Sequence, residues 1–215
     1  MNCITKTLVA AVVPVAFAAS ASAQNLVVNP GFELDDTTME TPGAVGWNTF
    51  NAAFTNQVLV NSGVNAFKTF GTPGGAFQDF PVLPGETVDA GVVAANPDFD
   101  ALVGDQIAAV NLEFYDVNDM LIGGIISNNF LTAADPADSM FVQGLVSSVA
   151  PDDAVRVRLA IVTGAFEDID NSGGVSGGGA PFFDDAFLVI TPVPEPATAG
   201  LLGLAGLAAL RRRRV

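Results

Sequence analysis

The 215-residue chain contains no histidine and one cysteine, Cys3. Without imidazole, and without a thiol past residue 3, His-based triads, thiol nucleophiles, disulfides and zinc or copper sites built on those ligands are excluded. Positive charge is scarce as well. Between residues 24 and 193 the basic residues are Lys68, Arg156 and Arg158 against 22 acidic ones, so this stretch carries about −19. A phosphate backbone would be repelled, which excludes nucleic acid as a partner and disfavours unaided adhesion to anionic lipid. The acidity reads as solubility outside the cell, with divalent-cation binding as the sharper alternative. Carboxylates alone remain for hydrolytic chemistry. They are scattered through nearly every loop and no spacing singles out a pair, so the chain reads as a non-enzyme.

The two ends differ from the middle. Residues 1–23 have Lys6 as their only charge, then an apolar run from Leu8 to Ala19, then Ala21-Ser22-Ala23. That order is a signal peptide for signal peptidase, with cleavage between Ala23 and Gln24, and it removes Cys3. At the other end Pro194-Glu195-Pro196 is followed by an uncharged apolar stretch, Ala197 to Leu210, and then by Arg211, Arg212, Arg213 and Arg214. The arginines hold their end in the cytoplasm. As a helix the apolar stretch would span only about 21 Å of a roughly 30 Å hydrocarbon core, a marginal anchor. Residues 192–215 closely resemble the PEP-CTERM sorting signal. The resemblance implies transient inner-membrane insertion by the C-terminal helix and recognition by an exosortase with removal of the tail. It also implies delivery to the surface or extracellular matrix of a Gram-negative, exopolysaccharide-making bacterium.

Residues 24–191 are enough for one domain with a core. Short β-rich runs recur between Gly, Pro, Asn and Asp clusters, and no amphipathic helix stands out. Strands are expected at Leu26 to Asn29, Thr87 to Ala94, Ala108 to Val117, Met120 to Ser127, Met140 to Val149, Ala154 to Val162 and Phe182 to Ile190. In the sixth of these, Val155, Val157, Leu159 and Ile161 alternate with Ala154, Arg156, Arg158 and Ala160, the period of a strand with one buried face. Asn118-Asp119 reads as a hairpin turn. The expected fold is all-β, an antiparallel sandwich. Asp168 to Gly173 imitates half of an EF-hand loop, but Gly179 stands at its twelfth position where a bidentate Glu is required, so a plain acidic turn is the better reading.

Asn25 to Glu33, Gly46-Trp47, Phe114-Tyr115-Asp116, Ala150-Pro151 before Val155 to Leu159, and Phe182 to Asp185 together resemble the landmarks of family 4/9 and 22 carbohydrate-binding modules. The resemblance implies a galactose-binding-like jelly roll in which Trp47 belongs to the core. It also implies a structural calcium held by Glu33, Asp184 and Asp185, the alternative being that Asp184 caps a turn and Asp185 is solvated. Glycan recognition usually requires flat aromatic faces. If Ala186 and Leu188 face inward, strand parity turns Phe183 and Phe187 outward as a small platform, but both faces of this strand are largely apolar, so parity does not settle it and the core is the preferred reading for both rings. Two roles follow: a non-catalytic matrix protein associated with exopolysaccharide, or a carbohydrate-binding module for a defined glycan.

Overall fold

A computed structural model describes residues 24–35, 41–164 and 179–193. The signal segment with Ala23, the Asp168 to Gly173 turn and the tail from Pro194 to the arginines lie outside the described residues. The described residues form nine strands, β1 (Thr41–Pro42), β2 (Asn48–Asn56), β3 (Ala66–Pro81), β4 (Thr87–Ala95), β5 (Ile107–Tyr115), β6 (Leu121–Thr132), β7 (Phe141–Val149), β8 (Arg156–Gly164) and β9 (Phe182–Thr191). Among them no helix is long and apolar enough to cross a membrane.

All strand pairings are antiparallel, in the order β6-β5-β8-β3-β9-β4-β7, with β2 on β3 and β1 on β2. Two layers result because β3 changes partner along its length. Its beginning, Phe67 and Lys68, pairs with β9, while Gly74 to Pro81 pair with β8. Between these halves lies Gly71-Thr72-Pro73-Gly74, and opposite it β2 has an irregularity between Phe50 and Ala52. Pro73 has no amide to offer a ladder, and here it needs none. Asn51, at φ 57°, donates its side-chain amide to the Pro73 carbonyl, so the irregularity is bridged rather than left open.

The core lies between the layers. From β5 it takes Val110, Leu112 and Phe114, and from β8 Val157, Leu159 and Ile161. The other layer supplies Val88, Ala90 and Val92 from β4 with Ala186 and Leu188 from β9. Trp47 stacks on Phe32 at 5.4 Å between ring centroids and Phe32 on Phe67 at 5.3 Å, contacts worth roughly 1 kcal/mol each beyond their buried area. The indole N–H of Trp47 donates to the Asn29 carbonyl, so no polar atom of that side chain is stranded. On one side the sandwich is closed by Asn128, which donates to the Leu145 carbonyl, and by the Phe130 ring, which fills the space above Gly144.

The opposite side is closed by the start of the domain, and here the expected strand at Leu26 to Asn29 needs correction. The segment runs beside β9 without forming a ladder, because side chains replace half of its partners. Leu26 donates to the Leu188 carbonyl, but Asn25 bonds Ala186 and Leu188 through its side-chain amide. Val28 is held by both ends of the buried Gln78 carboxamide. Residues 25–30 thus tie β9 of one layer to β3 of the other. The remaining expected strands are present with ends shifted by a few residues. The reading missed β1, β2 and β3.

Candidate functional site

The three acidic residues expected to hold a cation each accept hydrogen bonds from one short loop. The loop is Asn61 to Asn65, between β2 and β3. Asp184 Oδ2 accepts the backbone amides of Asn61 at 2.9 Å and Ser62 at 3.0 Å, and Asp185 accepts from the Asn61 side chain at 2.7 Å and the Ser62 hydroxyl at 2.8 Å. Glu33 Oε1 accepts the amides of Val64 and Asn65, both at 2.9 Å. Gly31 marks the meeting point. A side-chain carbon placed there would lie 3.5 Å from Asp184 Oδ1, 3.6 Å from Asp185 Oδ1 and 3.7 Å from Glu33 Cγ.

Asp184 is fully buried, and burial, reinforced by the charge of Asp185, lifts its pKa to about 6 against the pull of the Ser62, Asp185 and Asn61 amides. A proton or a cation would relieve such a pair. Their carboxylates are turned to amides and a hydroxyl, and among the described residues no group of three His, Cys, Asp or Glu side chains is gathered to hold a metal by itself. Main-chain oxygens would have to complete any cation's shell.

Asp185 also decides where the aromatic rings go. Along β9, Phe187 stands opposite Gly91 while Asp184 stands opposite Val93, so β9 carries one extra residue at this point. Asp185 takes φ 48° in this β-bulge. The extra residue reverses the parity of the strand, and Phe183 joins Ala186 and Leu188 on the core side, fully buried. The expected platform therefore loses Phe183. Phe187 alone remains on the outer face of β9, half-buried, in a depression of about 310 Å³ lined by Asp89, Ala90, Leu145, Val146 and Ser147. Its ring occupies the space that a side chain on Gly91 would fill, with Cε1 2.6 Å from that position.

A second aromatic group escaped the sequence reading. On the outer face of the other layer the Arg158 guanidinium lies 3.7 Å from the Phe77 ring centroid and that of Arg156 lies 4.0 Å from the Tyr115 centroid. Arg158 grips Asp79 with two hydrogen bonds, and Arg156 makes ion pairs with Asp79 and Asp119. Burial opposes charge on Asp79, but Arg158 and then Arg156 outweigh it and hold its pKa below the usual range. Burial and the hydrogen bond to Glu113 push the Tyr115 hydroxyl up to about 12. The alternation of Arg156 and Arg158 in β8 shows that both share a face, but only strand pairing puts Asp79, Phe77 and Tyr115 beside them. These rings are already stacked by cations, unlike Phe187. A separate cleft of about 760 Å³ lies at one end of the sandwich, lined by Pro81, Leu83, Pro84, Val117 and Val155, with Asp116 and Asp153 among its acidic residues.

Residues 192–214 match the PEP-CTERM protein-sorting motif. No curated protein matches the chain. Among solved structures, the family 16 carbohydrate-binding module-2 superposes with a TM-score of 0.50 at 17% identity, over 77% of this chain and 99% of that one. The CBM22-2 xylan-binding domain from Paenibacillus barcinonensis Xyn10C gives 0.51 at 13% identity, over 75% and 98%. The enzymatically active domain of bacteriophage CBA120 tailspike protein 4 gives 0.52 at 13% identity over 77% of this chain, which spans 21% of that chain. These likenesses establish the fold, an antiparallel β-sandwich. The chain carries a protein-sorting motif behind it.

Proposed function

We propose that this is an exported, exosortase-sorted, non-catalytic surface protein whose sandwich binds extracellular glycan weakly through the outer face around Phe187. The observation that carries the reading is the Phe187 ring seated over Gly91, in a depression that also holds the Asp89 carboxylate and the Ser147 hydroxyl. An apolar ring with polar groups beside it suits a pyranose, which offers one C–H face and a rim of hydroxyls. Its modest size argues for weak binding. The carbohydrate-binding-module neighbours share this architecture, and the sorting motif supports export; on this reading signal peptidase acts at Ala23 and the tail inserts transiently in the inner membrane. Retention in exopolysaccharide at the cell surface then needs only many weak contacts.

Calcium belongs to the same reading as a structural ion. Asp184, Asp185 and Glu33 would hold it, and it would supply the positive charge that lets Asp184 ionise while buried. A glycan array probed with the purified protein, with calcium and with chelator, tests the function. Signal that Phe187→Ala removes is the expected result. A blank array, or tight binding unaffected by that substitution, overturns the proposed site.

A further inference from the structure

The charge of the domain restricts which glycan the Phe187 site can take. The described residues contain three cations, and each one already faces a carboxylate: Lys68 at 3.3 Å from Asp100, Arg156 at 2.9 Å from Asp79, and Arg158 at 2.8 Å from Asp79. The two arginines stand on the outer face of the other layer. Lys68 is opposite Phe182, paired through β9 with Ala95, four residues along β4 from the Gly91 that carries Phe187. A uronate or sulfate arriving at Phe187 would therefore find no uncommitted cation, inside the field of a stretch carrying about −19.

What it would find is a carboxylate. Asp89 lies on β4 opposite Ser147 and Val189, and lines the same depression as Phe187. Its Oδ1 accepts the Ser147 hydroxyl at 2.6 Å, which fixes the carboxylate in place, and among the described residues no donor reaches Oδ2. A positioned acceptor with one oxygen to spare, beside an apolar ring, is the complement of a sugar that carries a protonated amine.

We infer that the glycan recognised here is an amine-bearing one, a polymer of de-N-acetylated amino sugar, with the pyranose face on Phe187 and the ammonium on Asp89. This rests on the glycan reading above and names its ligand class. The net charge adds to the local contact, because every further amine along the polymer enters the same negative field, and it makes binding sensitive to salt.

The test compares oligomers of equal length: glucosamine, N-acetylglucosamine and galacturonic acid, titrated against the purified protein by NMR at low and high salt. The glucosamine oligomer should bind about threefold or more tightly than its acetylated counterpart at low salt, the margin expected of one exposed ion pair, and the galacturonate least. Asp89→Asn should bring the two amino-sugar oligomers level without abolishing the binding they share, and Phe187→Ala should weaken both. Equal affinities in the native protein, galacturonate binding as well as glucosamine, or an amine preference that survives Asp89→Asn would overturn the amine assignment and leave the glycan reading standing. A blank glycan array for the native protein overturns the two together.

Discussion

Asp184 and Asp185 are adjacent in sequence, yet only Asp184 is fully buried, and both reach Asn61 and Ser62 of one loop from a single β-bulge. Two like charges at the junction of the first segment, the last strand and the 61–65 loop make this corner of the fold responsive to whatever neutralises them.

The first consequence is a dependence on pH. Burial lifts Asp184 from the ordinary carboxylate value of 3.8 to about 6 in the folded protein, so between those values the folded state binds the extra proton. Stability from this group is fully present below about 3.8 and is lost as pH rises through 6. Asp79 acts in the opposite sense, its lowered pKa withdrawing stability only below 3.8. Without calcium, urea unfolding should show the domain more stable at pH 4.5 than at 7.5, and Asp184→Asn should flatten that difference. An unchanged profile in the variant would show that Asp184 is not the titrating group.

Calcium should take over the proton's role at neutral pH. At 100 times its dissociation constant, an ion that binds only the folded state adds about 2.7 kcal/mol. Thermal unfolding at pH 7.5 should therefore rise with millimolar calcium and fall with chelator, and Asp184→Asn should lose the response. Asp170→Asn should keep it. A midpoint unmoved by either addition would mean that the 61–65 amides alone satisfy the three carboxylates.

How far such a site can be read without coordinates is shown by its parts. Glu33, Asp184 and Asp185 were legible because carboxylates are conspicuous and their places in the resemblance matched. Asn61 to Asn65 was not, since its contribution is mostly backbone amides, which leave no mark in sequence. The face of Phe183 could not be settled for a related reason: both faces of its strand are largely apolar, so nothing in the alternation betrays an extra residue at Asp185, and of the two readings the core one holds for Phe183. The long β3 was invisible because Gly71 to Gly75 with Pro73 reads as a turn. In the fold those residues are where one strand passes between layers. By contrast β8, with Arg156 and Arg158 alternating against Val157 and Leu159, could be read almost to its ends.

Gly63 gives a test of the loop itself. It sits at φ 64°, and a side-chain carbon on it would lie 2.3 Å from Glu33 Oε1. Gly63→Ala combines a strained backbone with displacement of a carboxylate that accepts two amides, and should cost about 1–3 kcal/mol. Glu33→Gln keeps the shape and the acceptor oxygen, so it should cost less. Chemical denaturation of the two variants ranks them, and the reverse order would mean that the charge of Glu33, not its fit over Gly63, holds the loop.

The last prediction concerns what happens when the tail is removed. Among the described residues the last paired position of β9 is Thr191, opposite Thr87, and Val193 packs near Gly85. Pro194 and Pro196 have no amide hydrogen to donate to a ladder. Moving four arginines through hydrocarbon would cost several kcal/mol each even on lenient insertion scales, so on the proposed reading the tail is expected to halt export in one orientation until it is cut. Changing Arg211 to Arg214 to Ser should weaken that retention, while Glu195→Ala should leave the chain inserted and unprocessed. Mass spectrometry of the extracellular form should find no peptide from Leu201 to Val215. Recovery of the intact tail from outside the cell would reduce the arginine-flanked stretch to an ordinary, poorly held anchor.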